Sequence, residues 1–246
     1  MTLNPTHKVL SILKKCSVRF LLSGGQACIL YGGTEFSRDA DVVVLLSEEN
    51  LDALRGALRE LDAEPIFVPA LDAEPLRRGH ACHFRCRHPE ASRIRLDVMS
   101  VMRGCDPFPA LWARRTTVEL PGLGEVPVLS LRDLVQSKKT QRDKDWGHVR
   151  RLVEVDYLTR RHEATAEDIA WWLAELRTPT YFMELAATHP NAAAGIASRP
   201  WLPDAVRQGE GAVERMLLEE EQRIRAEDRA YWQPLRQELE RMRRGR

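Results

Sequence analysis

The chain has 246 residues, 43% of them apolar and 30% charged, with a net charge of +1. That length supplies one large domain or two ordinary ones with a real core, and the near-neutral charge excludes a global field that would gather nucleic acid or anionic lipid. No stretch approaches the ~18 apolar residues of a membrane span, so no membrane partner is expected.

Met1-Thr2-Leu3-Asn4-Pro5 lacks the apolar core of a secretory signal. The five cysteines (Cys16, Cys28, Cys82, Cys86, Cys105) are odd in number and scattered, which fits reduced thiols and a cytoplasmic setting.

In chain order, residues 6–16 carry a weak helical pattern through Val9, Leu10, Leu13 and Cys16. Residues 18–22 are short, apolar and β-rich, a buried strand. Ser23-Gly24-Gly25 is a turn into a two-turn helix over 26–31, stopped at Gly32-Gly33. Ser37-Arg38-Asp39-Ala40-Asp41 then leads a valine-rich strand over 41–46. An amphipathic helix over 50–61 follows, with Ser47 as its cap and Glu48 and Glu49 at its positive end.

Leu-Asp-Ala-Glu-Pro occurs at 61–65 and again at 71–75, too short and too few for a repeat architecture. The pattern predicts a short strand at 66–68, a loop over 69–79, and a hairpin of strands at 83–87 and 93–99. In the second of these Ile94, Leu96 and Val98 face one way, and Arg93, Arg95 and Asp97 the other. Residues 103–127, rich in Pro and Gly, predict loops with strands at 116–120 and 126–129. From Ser130, a cap with Asp133 three residues on, the chain turns helical: 131–139, 146–158, and a helix opened by Thr165. Breaks follow at Pro179, Pro190 and Pro200. The charged segment 211–246 is interrupted at Pro234 and ends in a basic tail read as a solvated terminus.

Three carboxylates stand out. Asp39 and Asp41 share a strand face with Cα atoms ~6.6 Å apart, and Asp97 sits on the site-facing phase of another strand. If those strands are neighbours the carboxylates converge, and such a set suits two Mg²⁺ ions holding phosphate oxygens. A glycine pair before a helix lets backbone N–H groups approach an anion. The segment His80-Ala81-Cys82-His83-Phe84-Arg85-Cys86-Arg87-His88 tempts a zinc reading, but Cys82 and Cys86 on one strand lie ~13 Å apart, which zinc bonds of ~2.3 Å to sulfur cannot bridge without a bend. Cys82, Phe84 and Cys86 read instead as a buried stripe opposite His83 and Arg85.

The order Ser23-Gly24-Gly25, Ser37-Arg38-Asp39-Ala40-Asp41, Arg95-Leu96-Asp97-Val98 resembles the nucleotidyltransferase superfamily of DNA polymerase β-like enzymes. The later run Val128-Leu129-Ser130-Leu131-Arg132-Asp133-Leu134 with Lys138, Lys139, Arg142 and Asp143-Lys144-Asp145 resembles the helical segment of its minimal, abortive-infection toxin-like branch. The similarity covers about residues 15–155. It implies an α+β fold: a mixed-sheet nucleotidyltransferase core over 1–129 with flanking helices, then an all-helical region over 130–246. The helix at 130–160 would pack on the core, and the remainder would recognise an acceptor or partner.

It further implies transfer of a nucleoside monophosphate from NTP to a hydroxyl of RNA (tRNA), a protein or a small molecule. Two Mg²⁺ ions would be bound by Asp39, Asp41 and Asp97, with Asp97 as general base. Ser23, Gly24 and Gly25 would meet the triphosphate, with Lys138 or Lys139 on phosphate, and an antitoxin-like protein is an implied partner. Gly25 stands where many active members have serine, and Arg38 lies inside the acidic motif rather than before it. An inactive nucleotide- or partner-binding member of the fold is the alternative.

Overall fold

The structure is a computed structural model that describes residues 5–34 and 36–244. Residues 1–4 of the N-terminal reading, Glu35 in the loop before the acidic pair, and residues 245–246 of the basic tail lie outside the described residues. The fold is α+β. Two compact units account for it: the first holds the chain up to Leu30, Thr34–Ser137, and the end from Ala230; the second holds Tyr31–Gly33 and Lys138–Arg229.

The first unit is built on a mixed sheet of seven strands in the order β3-β4-β5-β2-β1-β7-β6. Its centre is β1 (Phe20–Ser23) antiparallel to β2 (Asp39–Val44). Next come β3 (Ala63–Pro65), β4 (Cys82–Cys86), β5 (Arg95–Met99), β6 (Thr116–Leu120) and β7 (Gly124–Val128). The pairs β2/β5 and β1/β7 are parallel and the others antiparallel.

Side chains in register share a face, so one face collects Phe20, Leu22, Ala40, Val42, Leu96, Val98, Cys82 and Phe84, all buried. Burial of each large member stabilises by ~1.5–3 kcal/mol. Helix α1 (Pro5–Lys15) adds Val9, Leu10, Ile12 and Leu13, and packs against β2 and α3 (Glu48–Glu60). The opposite face carries the polar residues described below.

Ser47 caps α3 as its sequence predicts, accepting from the Asn50 N–H at 3.3 Å. Buried Asn50 then ties α3 to the ends of β1 and β2. Its amide donates to the Arg19 and Leu45 carbonyls, and its oxygen accepts from Arg19 N–H at 2.6 Å. Helix α2 (Gly24–Leu30) packs on β1, β2 and α6 (Leu131–Ser137).

Several elements differ from the sequence reading. The strand expected at 66–68 lies at Ala63–Pro65, paired with Cys86–Phe84; only Ile66 N–H continues the ladder, to the His83 carbonyl at 2.9 Å, and Phe67 is exposed. The loop at 69–79 contains α4 (Ala73–Arg77), capped by Asp72 and anchored by buried Leu76. The loop over 103–127 contains α5 (Phe108–Ala113), whose Phe108 and Leu111 are one helical turn apart and both buried. The helix expected over 131–139 ends at Ser137, leaving Lys138 and Lys139 in the connection to α7 (Asp143–Arg160).

In the second unit α8 (Ala166–Glu175) opens on a complete capping box between Thr165 and Asp168. The prolines at 179 and 190 end one helix and begin the next, α9 (Pro179–Thr188) and α10 (Pro190–Ala194), at a position where the missing N–H costs nothing. After α11 (Leu202–Gln208), helix α12 (Glu210–Arg244) runs on through Pro234, where a break was expected. Fully buried Arg199 donates to the Leu173 and Leu176 carbonyls, closing the end of α8, and to Glu220 at 2.9 Å. The last part of α12 belongs to the first unit, where Glu238 bonds buried His80 at 2.8 Å.

Candidate active site

Two rows of polar residues cross the other phase of the sheet. Ser23 is the register partner of Asp41, Asp41 of Asp97, and Asp97 of His83, so these four lie side by side across β1, β2, β5 and β4. Two residues along, Asp39 is the partner of Arg95, and Arg95 of Arg85. The convergence expected of Asp39, Asp41 and Asp97 therefore holds at the level of the backbone, because β2 and β5 are neighbours in register. Charges at ~6.6 Å repel by about 2.5 kcal/mol at an effective dielectric near 20, so the rows need compensating cations.

Asp97 has them. His83 Nδ1 lies 2.8 Å from Asp97 Oδ1, and Arg95 Nε donates to the same oxygen at 2.7 Å while its Nη2 bonds Oδ2. Burial alone would raise the Asp97 carboxyl; the hydrogen bonds from His83 and Arg95 outweigh it and hold the group below the usual carboxylate range. Arg95 is held above its ordinary value by its bond to Asp97, against an opposing effect of burial, and further by the charges of Asp97, Asp39 and Asp41. Arg95 thus feels all three aspartates.

The glycine turn is shaped by the carboxylates. Gly24 has φ +62°, and a Cβ there would lie 1.9 Å from Asp41 Oδ2; a Cβ on Gly25 would lie 2.4 Å from Ser37 Oγ. Ser37 accepts from Gln26 Nε2 through its carbonyl at 3.0 Å, and its hydroxyl donates to the Asp39 carbonyl at 3.3 Å. Glycine, serine and amide thereby fasten the segment that delivers Asp39 and Asp41. Gln26 and Ser37 also line a cavity of about 350 Å³ with Thr6, His7 and Phe36; among the described residues no carboxylate, lysine or arginine lines it.

Does this donor set fit a divalent cation? Hard carboxylate oxygens from Asp39 and Asp41 share a face, and the Ser23 hydroxyl, 2% exposed and in the row of Asp41, has no hydrogen-bond partner among the described residues. Those are suitable oxygen ligands for Mg²⁺. Both oxygens of Asp97 are already engaged, and among the described residues no three His, Cys, Asp or Glu side chains are arranged to hold one ion. The set fits at the Asp39–Asp41–Ser23 end.

Lys138 and Lys139 belong to the second unit. Lys138 Nζ lies 3.5 Å from Asp145, and Lys139 Nζ 2.7 Å from Glu175, so either would reach a phosphate only by exchanging its carboxylate. Cys82 and Cys86 are buried, alternating with half-buried His83 and exposed Arg85, and burial pushes both thiols up to about 11. Sequence reasoning missed His83 and Arg95 as members of the site. Arg95 sits on the same phase as Asp97, which was the available signal; the pairing of His83 with Asp97 needs the β4–β5 register.

No family model matches the chain, and no curated protein matches it. Among solved structures it is similar to a crystal structure from H. pylori described, provisionally, as a nucleotidyltransferase, at 12% identity, with 89% of this chain and 93% of that chain covered and a TM-score of 0.42.

Proposed function

We propose that this protein is a Mg²⁺-dependent nucleotidyltransferase that moves a nucleoside monophosphate from an NTP to a hydroxyl acceptor. The observation that carries the reading is the row Ser23–Asp41–Asp97 with Asp39 one step along the same face. Carboxylates held together at an energetic cost beside an orphaned buried hydroxyl are what a cation site requires, and what a merely structural sheet avoids.

In the transfer, the acceptor oxygen bonds to the α-phosphorus, the bond to the β-phosphate bridging oxygen breaks, and pyrophosphate leaves. Bound Mg²⁺ supplies charge neutralisation and orientation of the phosphate oxygens. Asp39 and Asp41 would hold it, with the Ser23 hydroxyl beside them. The Ser23-Gly24-Gly25 turn keeps the backbone low enough for phosphate to approach Asp41. The acceptor's proton would pass to a carboxylate, and Asp97 serves only once Arg95 releases one of its oxygens. Positioning and electrostatics supply most of the acceleration.

A second reading, an inactive nucleotide- or partner-binding member of the same fold, is favoured by one observation: the saturation of Asp97 by Arg95 and His83. Incubation with each α-labelled and γ-labelled NTP plus total RNA and total protein, with and without Mg²⁺, separates the two. Mg²⁺-dependent transfer of α-label but not γ-label supports the transferase and names the acceptor class. NTP binding indifferent to Mg²⁺, with no label moved, supports the second reading.

A further inference from the structure

We infer that Arg95 is a built-in counter-cation of the carboxylate face, one that occupies Asp97 and competes with a divalent cation for it. The inference rests on the reading of Asp39, Asp41 and Asp97 as a cation site. Three carboxylates on adjacent register positions of β2 and β5 must be neutralised if the strands are to pair at all. Arg95 lies between them: it is two residues from Asp97 on the same face of one strand and the direct partner of Asp39 on the next. Its fork takes both oxygens of Asp97, the geometry that suits guanidinium to carboxylate.

Accessibility differs sharply between the two partners. The Asp97 side chain is 6% exposed and that of Arg95 is 35% exposed. Arg95 can therefore swing toward solvent at the cost of one ion pair, while Asp97 stays in place, still bonded through Oδ1 to His83. Exposed Arg85, the Cα partner of Arg95 on β4, adds like charge beside Arg95 and favours that departure once a cation has entered. Without cation, Arg95 occupies Asp97 and stabilises the sheet; with a cation at Asp39 and Asp41 and phosphate present, its position on Asp97 is given up. The chain would then be folded with Asp97 withheld from metal at low cation concentration.

The test is Mn²⁺ binding, by titration calorimetry and electron paramagnetic resonance, on the full chain as wild type, Arg95→Met, Arg95→Lys and Asp41→Asn, with thermal unfolding measured with and without Mn²⁺. The inference predicts that Arg95→Met binds Mn²⁺ about tenfold more tightly and unfolds at lower temperature without the ion. It also predicts a larger upward shift with the ion than in wild type, and an intermediate position for Arg95→Lys, which keeps the charge but loses the fork. Asp41→Asn should lose Mn²⁺ binding. Wild-type affinity in Arg95→Met, with binding abolished by Asp41→Asn, overturns the inference and leaves the cation-site reading standing. Absence of Mn²⁺ binding in wild type and Arg95→Met alike overturns both. If Arg95→Met fails to fold with and without Mn²⁺, Arg95→Lys decides, and an unchanged affinity there counts against the inference.

Discussion

The carboxylate of Asp41 stands in the space a side chain on Gly24 would occupy, with Oδ2 1.9 Å from the position of a Cβ. The glycine turn and the acidic strand are consequently one device. The turn is bare where Asp41 lies across it.

Gly24→Ala follows directly. The residue must adopt φ +62° and intrude on Asp41, so strain and clash together should destabilise by about 2–4 kcal/mol. Denaturant unfolding followed by circular dichroism measures this. A loss below about 0.5 kcal/mol would show that the turn can relax away from Asp41.

Ser23→Ala should act in the opposite sense on stability. The hydroxyl is buried without a hydrogen-bond partner among the described residues, an arrangement that costs about 1–3 kcal/mol. Removing it should leave the protein as stable or up to about 1 kcal/mol more so, while weakening Mn²⁺ binding and transfer. Destabilisation instead would mean the hydroxyl has a structural partner and no place in a cation site.

In the second unit, Asp168 gives a pH-dependent prediction. Burial would raise its carboxyl, but hydrogen bonds from the Thr165 hydroxyl and N–H and the ion pair with Arg160 outweigh that and set it at about 2. Because the folded value lies below the ordinary 3.8, the stabilisation is complete above about pH 4 and disappears as pH falls through about 2. Asp168→Asn should cost about 1–2 kcal/mol at pH 7, and the gap from wild type should narrow as pH falls below about 4 and be lost only below about pH 2. A gap that is constant with pH would remove the electrostatic part of the account.

How much of this was legible in the sequence depended on the range of the interaction. Alternation along a single strand placed Asp97 opposite Leu96 and Val98, and spacing placed Asp39 with Asp41; both follow from the two-residue period of a strand and need no partner. The Ser47 and Thr165 caps, which are equally local, also appear where the pattern put them.

What depends on register was hidden. His83 joins the site because β4 pairs with β5 so that it faces Asp97, and Arg95 acquires its role because Asp39 is its cross-strand partner. Short amphipathic turns inside Pro- and Gly-rich stretches, α4 and α5, were concealed by composition. The shift of the 66–68 strand to Ala63–Pro65 reflects pairing with β4 overriding the apolar appeal of Ile66-Phe67-Val68. The continuation of α12 through Pro234 shows a long helix tolerating the loss of one hydrogen bond.

The most direct measurement of the central claim is the transfer of α-labelled NTP to acceptor by wild type and by Asp41→Asn, in Mg²⁺, with circular dichroism of both. The account predicts Mg²⁺-dependent labelling by wild type and a loss of about a thousandfold or more in Asp41→Asn at unchanged secondary structure. Equal labelling by the two proteins would contradict it.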